Sequence, residues 1–119
     1  MGPIVYECEI KEPWYSQVMS GRKTVEGRLN RDKWSNMEKG DLLYIKNPAT
    51  PGIKVAFEIV DVEYCEDFYE LHFTYGKSLL PDIDEYDHNA AVEVYRDIYT
   101  DDMVKKYGVV GIVLKRYVG

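Results

Sequence analysis

The sequence predicts an α+β fold: a small, mostly antiparallel β-barrel with short peripheral helices. Three observations predict it. Five segments carry strand patterning, and the three or four helical segments between them are short. The order β-α-β-β-β-α-α-β holds too few crossovers for a parallel sheet, and the last strand is apolar on both faces.

Residues 4–10 alternate, with Ile4, Tyr6, Cys8 and Ile10 on one face and Val5, Glu7 and Glu9 on the other, the pattern of a half-buried strand. Glu12-Pro13 reads as a helix start. Trp14 and Val18 stand four apart, Tyr15 and Met19 repeat that spacing, and Gly21 is placed to cap the helix. Thr24 to Leu29 is a short strand, with Val25 pointing one way and Glu26 and Arg28 the other. Gly27 inside it signals a bulge or a close approach by another group. Asn30 to Met37 is a polar connection with room for one helical turn, its Trp34 expected to pack as a lid or satellite contact. Gly40-Asp41 is a turn, Leu42 to Lys46 a strand, and residues 47–52 a Pro- and Gly-punctuated loop. Ile53 to Tyr64 is the longest strand and forms a hairpin with the one before it. Asp67 to Phe73 reads as a helix, with Phe68, Leu71 and either His72 or Tyr75 on one side. Gly76 to Asp87 is irregular. Asn89 to Tyr99 is a helix with Ala91, Tyr95 and Ile98 on one face. Thr100-Asp101-Asp102 caps a further turn that ends at Tyr107-Gly108, and Val109 to Tyr117 closes the fold.

At 119 residues the chain is expected to be one domain, 1–119. No apolar run is long enough to span a bilayer, and the N-terminus lacks a signal-peptide pattern, so a cytoplasmic location is expected. The chain begins Met-Gly, but Tyr6 stands where myristoylation needs Ser or Thr. Cys8 and Cys65 read as buried thiols.

The net charge of −6 argues against generic nucleic-acid binding. The charge is uneven, however. Arg22, Lys23, Arg28, Arg31 and Lys33 face only Glu26 and Asp32, whereas between Asp61 and Asp102 the acids meet only Lys77 and Arg96. A basic locality on an acidic body suits a small anion or one strand of nucleic acid. An unevenly charged solvated surface reads the same way.

Gly21, Lys23, Glu26 and Arg28 form the pattern Gly-x-Lys-x-x-Glu-x-Arg. With the preceding aromatic helix, the Gly40-Asp41 turn and the stretches Tyr95-Arg96-x-Ile98-Tyr99 and Tyr107-Gly108-Val109-Val110-Gly111-Ile112, it resembles the ASCH domain (activating signal cointegrator homology) over nearly the whole chain. That resemblance implies a PUA-like barrel. It also implies RNA or other nucleic-acid binding in a cleft lined by the motif. Some small members of the family hydrolyse acetylated cytidine, and one branch has ribonuclease activity. In the amidohydrolases a Thr stands two residues before the motif Arg; Glu26 occupies that position here, which weakens a hydroxyl nucleophile.

The residue chemistry agrees with a nucleotide site. Arg28 offers a planar fork for phosphate and Lys23 a mobile point charge from the turn, with Arg22 beside it. Glu26 can accept from a base amine or hold Arg28, and a surface Glu26–Arg28 pair of little energetic worth is the bland alternative. The first expectation is therefore a module binding RNA or single-stranded nucleic acid through Gly21, Arg22, Lys23, Glu26 and Arg28. The alternative is a small metal-independent hydrolase of a nucleoside-like substrate or RNA, with Lys23 and Glu26 catalytic. Thr24 is a weaker candidate, expected to face away from Glu26 and Arg28. A second carboxylate would come from Asp82, Asp84, Glu85 or Asp87. A third reading is a protein-interaction domain using the acidic face. No cofactor or metal is expected: His72 and His88 lack partners at ligand spacing, and Asp82-x-Asp84-x-x-Asp87 lacks the glycine a calcium loop needs. No membrane partner is expected, and the oligomeric state is open. The tyrosines read as core and rim residues, a few of them able to stack on bases.

Overall fold

The structure is a computed structural model and describes residues 2–119. The elements are β1 (Val5–Glu9), α1 (Trp14–Met19), β2 (Val25–Leu29), β3 (Leu42–Lys46), β4 (Val55–Cys65), α2 (Phe68–Tyr75), α3 (His88–Arg96), α4 (Asp101–Tyr107) and β5 (Val109–Arg116). Single 3₁₀ turns lie at Asp32–Asn36 and Gly76–Ser78. One five-stranded sheet runs in the order β1-β3-β4-β5-β2. Every pairing is antiparallel except β1 with β3. The sheet is a curled half-barrel of the PUA-like kind, as the sequence predicts.

Because β1 and β2 are the two ends of the order, they have no ladder between them. Side chains bridge the gap instead. Arg28 donates from Nη2 to the Glu9 carbonyl at 3.0 Å, and the Lys33 ammonium donates to the Glu7 carbonyl. This seam is where the site lies.

Two cores sit on opposite faces of the sheet. The inner one gathers Cys8, Ile10, Leu43, Ile45, Phe57, Ile59, Val110 and Ile112 under Val18, Trp34 and Met37. The outer one packs Val25, Leu29 and Val109 against Phe68, Leu71, Leu79, Leu80, Ala91 and Tyr95. β5 feeds both, in keeping with its unbroken apolar run.

Gly27 of β2 is paired directly with Gly111 of β5. The two create a bare spot on the outer face, and Leu71 of α2 fills it. A Cβ on Gly111 would lie 2.7 Å from Leu71 Cδ1, and one on Gly27 would lie 3.1 Å from Leu71 Cδ2 and 2.9 Å from the Tyr95 hydroxyl. The close approach that Gly27 signals is thus made by the chain's own helices.

Several elements differ from expectation for local reasons. β4 begins at Val55, because the Ile53 amide is bonded to Thr50 in the preceding turn, and Ile53 is exposed. α3 ends at Arg96, because Thr100 is extended so that its Oγ1 accepts from the Met103 amide and caps α4. Ile98 is therefore exposed rather than on a buried face. Trp34 is a core residue and not a satellite. Leu79 and Leu80, in the segment read as irregular, are buried.

Gly111→Ala is expected to lower stability by roughly 1–3 kcal/mol through overpacking. Adding Leu71→Ala should recover part of that loss, because the two sites are in contact. Urea denaturation of the two single variants and the double variant checks this.

Candidate functional site

A cleft of about 260 Å³ opens at the seam, lined by Glu9, Ile10, Lys11, Trp14, Lys23, Glu26, Gly27, Arg28, Pro48, Tyr95, Ile98 and Tyr99. β2 supplies its charges. Glu26 pairs across the ladder with Ile112 and Arg28 with Val110, residues of the inner core, so both charged side chains point to the inner face.

The Glu26–Arg28 pair is not the surface ion pair of the bland alternative: its carboxylate is buried. Glu26 is 6% exposed. Its Oε2 accepts from Arg28 Nη2 at 2.9 Å and from Nε at 3.3 Å. The guanidinium also lies over the Trp34 ring, 4.5 Å from its centroid. Burial acts to lower the Arg28 pKa, but the Glu26 carboxylate outweighs it and holds the guanidinium above its usual value.

Lys23 is not a mobile charge on a turn. It is 2% exposed, and its Nζ donates to the Val25 carbonyl at 2.7 Å and the Leu79 carbonyl at 2.5 Å. Glu26 Oε1 lies 3.6 Å away. Burial holds the lysine pKa below its ordinary value, against the opposing pull of Glu26. Two of the three ammonium donors are taken by backbone carbonyls.

The remaining candidates fall elsewhere. Gly21 ends α1 with φ +81° and does not line the cleft. Arg22 is exposed and bound to Asp82 at 3.0 Å, and Gln17 Nε2 donates to the other oxygen of Asp82 at 2.8 Å. Asp84 accepts from the Tyr86 amide, Asp87 caps α3 through the Ala90 amide, and Glu85 packs on Gly76. None of these four acids lines the cleft, which leaves Glu26 and Glu9 as its carboxylates. Thr24 shares the parity of Glu26 and Arg28, so strand alternation does not turn it away. It precedes β2 and is absent from the lining.

Tyr95 and Tyr99 are the wall that sequence reasoning missed. Their i, i+4 spacing in Tyr95-Arg96-x-Ile98-Tyr99 was the available signal. Tyr95 stacks on Phe68, with centroids 3.8 Å apart, and Phe68 lies 5.8 Å from Tyr99 in nearly parallel planes. Tyr95 is 6% exposed, and its hydroxyl sits over Gly27, 2.9 Å from where a Cβ there would lie, on the cleft wall. Burial, then Glu26, pushes its pKa well above the ordinary value, so it stays a neutral O–H.

The Cys8 thiol is pushed up to about 12 by burial and by Glu26, which removes it as a nucleophile. His72 and His88 meet through their Nδ1 atoms at 2.7 Å, and no group of three metal-ligating side chains forms among the described residues.

The ASCH domain model matches residues 9–115. The chain belongs to the ASCH domain family. This family has a PUA-like fold and is generally linked to RNA binding. The fold is similar to the crystal structure of hypothetical protein PH0355, with a TM-score of 0.85 and 26% identity over 96% of this chain and 100% of that one. It is also similar to the solution NMR structure of Protein PF0455 from Pyrococcus furiosus, with a TM-score of 0.75 and 24% identity over 98% of this chain and 100% of that one. Comparison with curated proteins finds no match. In this ASCH domain the motif's Lys, Glu and Arg are brought together, while its Gly serves the turn before them.

Removing Lys23 leaves Glu26 and two carbonyls short of a buried partner. Lys23→Ala is expected to cost about 3–5 kcal/mol of folding stability. A urea midpoint unchanged from wild type would contradict the structural role given to this lysine.

Proposed function

We propose that the seam cleft holds one nucleotide of a single-stranded RNA, with Arg28 and Tyr95 making the contacts. The observation that carries this reading is the charge and hydrogen-bond inventory of the cleft. The charges lining the cleft, Lys11, Lys23 and Arg28 against Glu9 and Glu26, sum to a single positive charge on a protein of net −6, with Lys23 and Glu26 buried. A phosphate oxygen satisfies that excess. Glu26 Oε1 has only the long 3.6 Å contact to Lys23, so it is open to a base amine. The Tyr95 hydroxyl, over Gly27 in the cleft wall, can donate or accept beside it. The cleft is smaller than the ~300–1,000 Å³ of pockets for drug-sized ligands, a size that suits one nucleotide unit rather than a folded RNA element.

The hydrolytic reading has less support. Lys23 donates to two backbone carbonyls, Thr24 is outside the cleft and Glu26 is tied to Arg28 through one oxygen. The ASCH domain is read here as a binding module occupying the whole chain.

Fluorescence anisotropy of a labelled single-stranded RNA tests the reading. Arg28→Lys keeps the charge but loses the fork, and it should weaken binding roughly ten-fold or more. Tyr95→Phe keeps the Phe68 stack and should weaken binding several-fold through one lost hydrogen bond. Wild-type affinity should fall as salt rises. Affinity unchanged in both variants would overturn the proposal.

A further inference from the structure

We propose that a second phosphate site lies outside the cleft, formed by Arg31 and Lys106 around Tyr107, and that it takes the next stretch of the same RNA strand. This inference rests on the cleft reading above.

Two chain segments far apart in sequence meet there. The Asn30 amide donates to the Gly108 carbonyl at 3.0 Å, which ties the end of β2 to the end of α4. That bond sets the basic stretch after β2 beside the last turn of α4, where Lys105 and Lys106 stand. The Arg31 guanidinium lies 5.3 Å from the Tyr107 ring centroid, and the Lys106 ammonium lies 5.1 Å from it. One aromatic ring thus gathers two cations that would otherwise repel. Their local acid is weak: Arg31 Nε is 3.7 Å from Asp32, whose carboxylate is 82% exposed.

Lys106 and Tyr107 line a cavity of about 1020 Å³ between α2, α3 and α4 that shares Tyr95 and Tyr99 with the cleft, and Arg31 lies against Tyr107. Burial raises the Tyr99 pKa, and the charges of Arg28 and Arg31 both act to lower it. Cations set among aromatic rings suit a single strand, whose phosphates and bases alternate. Arg96 in the larger cavity is bound by Glu93 at 2.5 Å and Asp101 at 3.0 Å and offers no free charge.

The test compares a ribonucleoside monophosphate with a mixed-sequence single-stranded RNA of eight nucleotides. The variants are Arg31→Glu/Lys106→Glu and a control of equal charge change, Lys39→Glu/Lys77→Glu. The first pair should lose about ten-fold in affinity for the eight-mer and reduce its salt slope by roughly 1, about the share of one or two phosphates on a single strand. It should leave monophosphate binding unchanged, and the control should leave both unchanged. Equal eight-mer affinity in the first pair and wild type overturns this inference, as does an equal loss in the control. The cleft reading then still stands if Arg28→Lys weakens both ligands. If Arg28→Lys weakens neither, the cleft reading falls and this one with it.

Discussion

One buried ammonium ties together the parts of this fold that no backbone ladder joins. Lys23 Nζ binds a carbonyl of β2 and the carbonyl of Leu79, from the segment that follows α2. Through Glu26 it sets Arg28, and Arg28 reaches the Glu9 carbonyl of β1 across the open seam. Three charges and three backbone acceptors therefore take the place of the hydrogen bonds that a closed barrel would have. Such a network is strongly destabilised by loss of any member, because each leaves the others unpaired in a low-dielectric interior. The same residues that join the edges line the cleft.

The outer helices depend on a second local constraint. With glycine at both positions of the Gly27–Gly111 pair, Leu71 and Tyr95 come down almost onto the backbone. This close packing brings the Tyr95 hydroxyl alongside β2 and makes α3 a wall of the cleft. The seam, the bare pair and the tyrosine form one arrangement. Glu26, Arg28 and Tyr95 come from a strand and a helix, which hold geometry better than loops.

The strands were the most legible part of the sequence, because alternation and β-branching mark them directly. The turn residues were legible too: Gly21, Gly40, Thr100 and Gly108 all punctuate where expected. The parallel pairing of β1 with β3 was not, since no local pattern reports which strands meet. Lys23, Glu26 and Arg28 could be picked out by spacing, yet their burial could not. A lysine after a helix end reads as solvated unless one knows that Leu79, 56 residues later, folds over it. Tyr95 was legible as a core residue from its helical period. That its hydroxyl comes to rest over Gly27 in the cleft wall is a tertiary fact.

The electrostatic picture joins these points. A body of net charge −6 repels nucleic acid at long range, so attraction must come from cations concentrated at one place. In the proposed reading the seam supplies that place. The central claim is that this seam is where RNA sits, and backbone amide NMR during titration with single-stranded RNA tests it most directly. The account requires shifts centred on Glu26, Gly27 and Arg28 with the Tyr95–Tyr99 turn, reversed by added salt. Shifts confined to the β4–α2 acidic surface, or a spectrum unchanged at low salt, would contradict it.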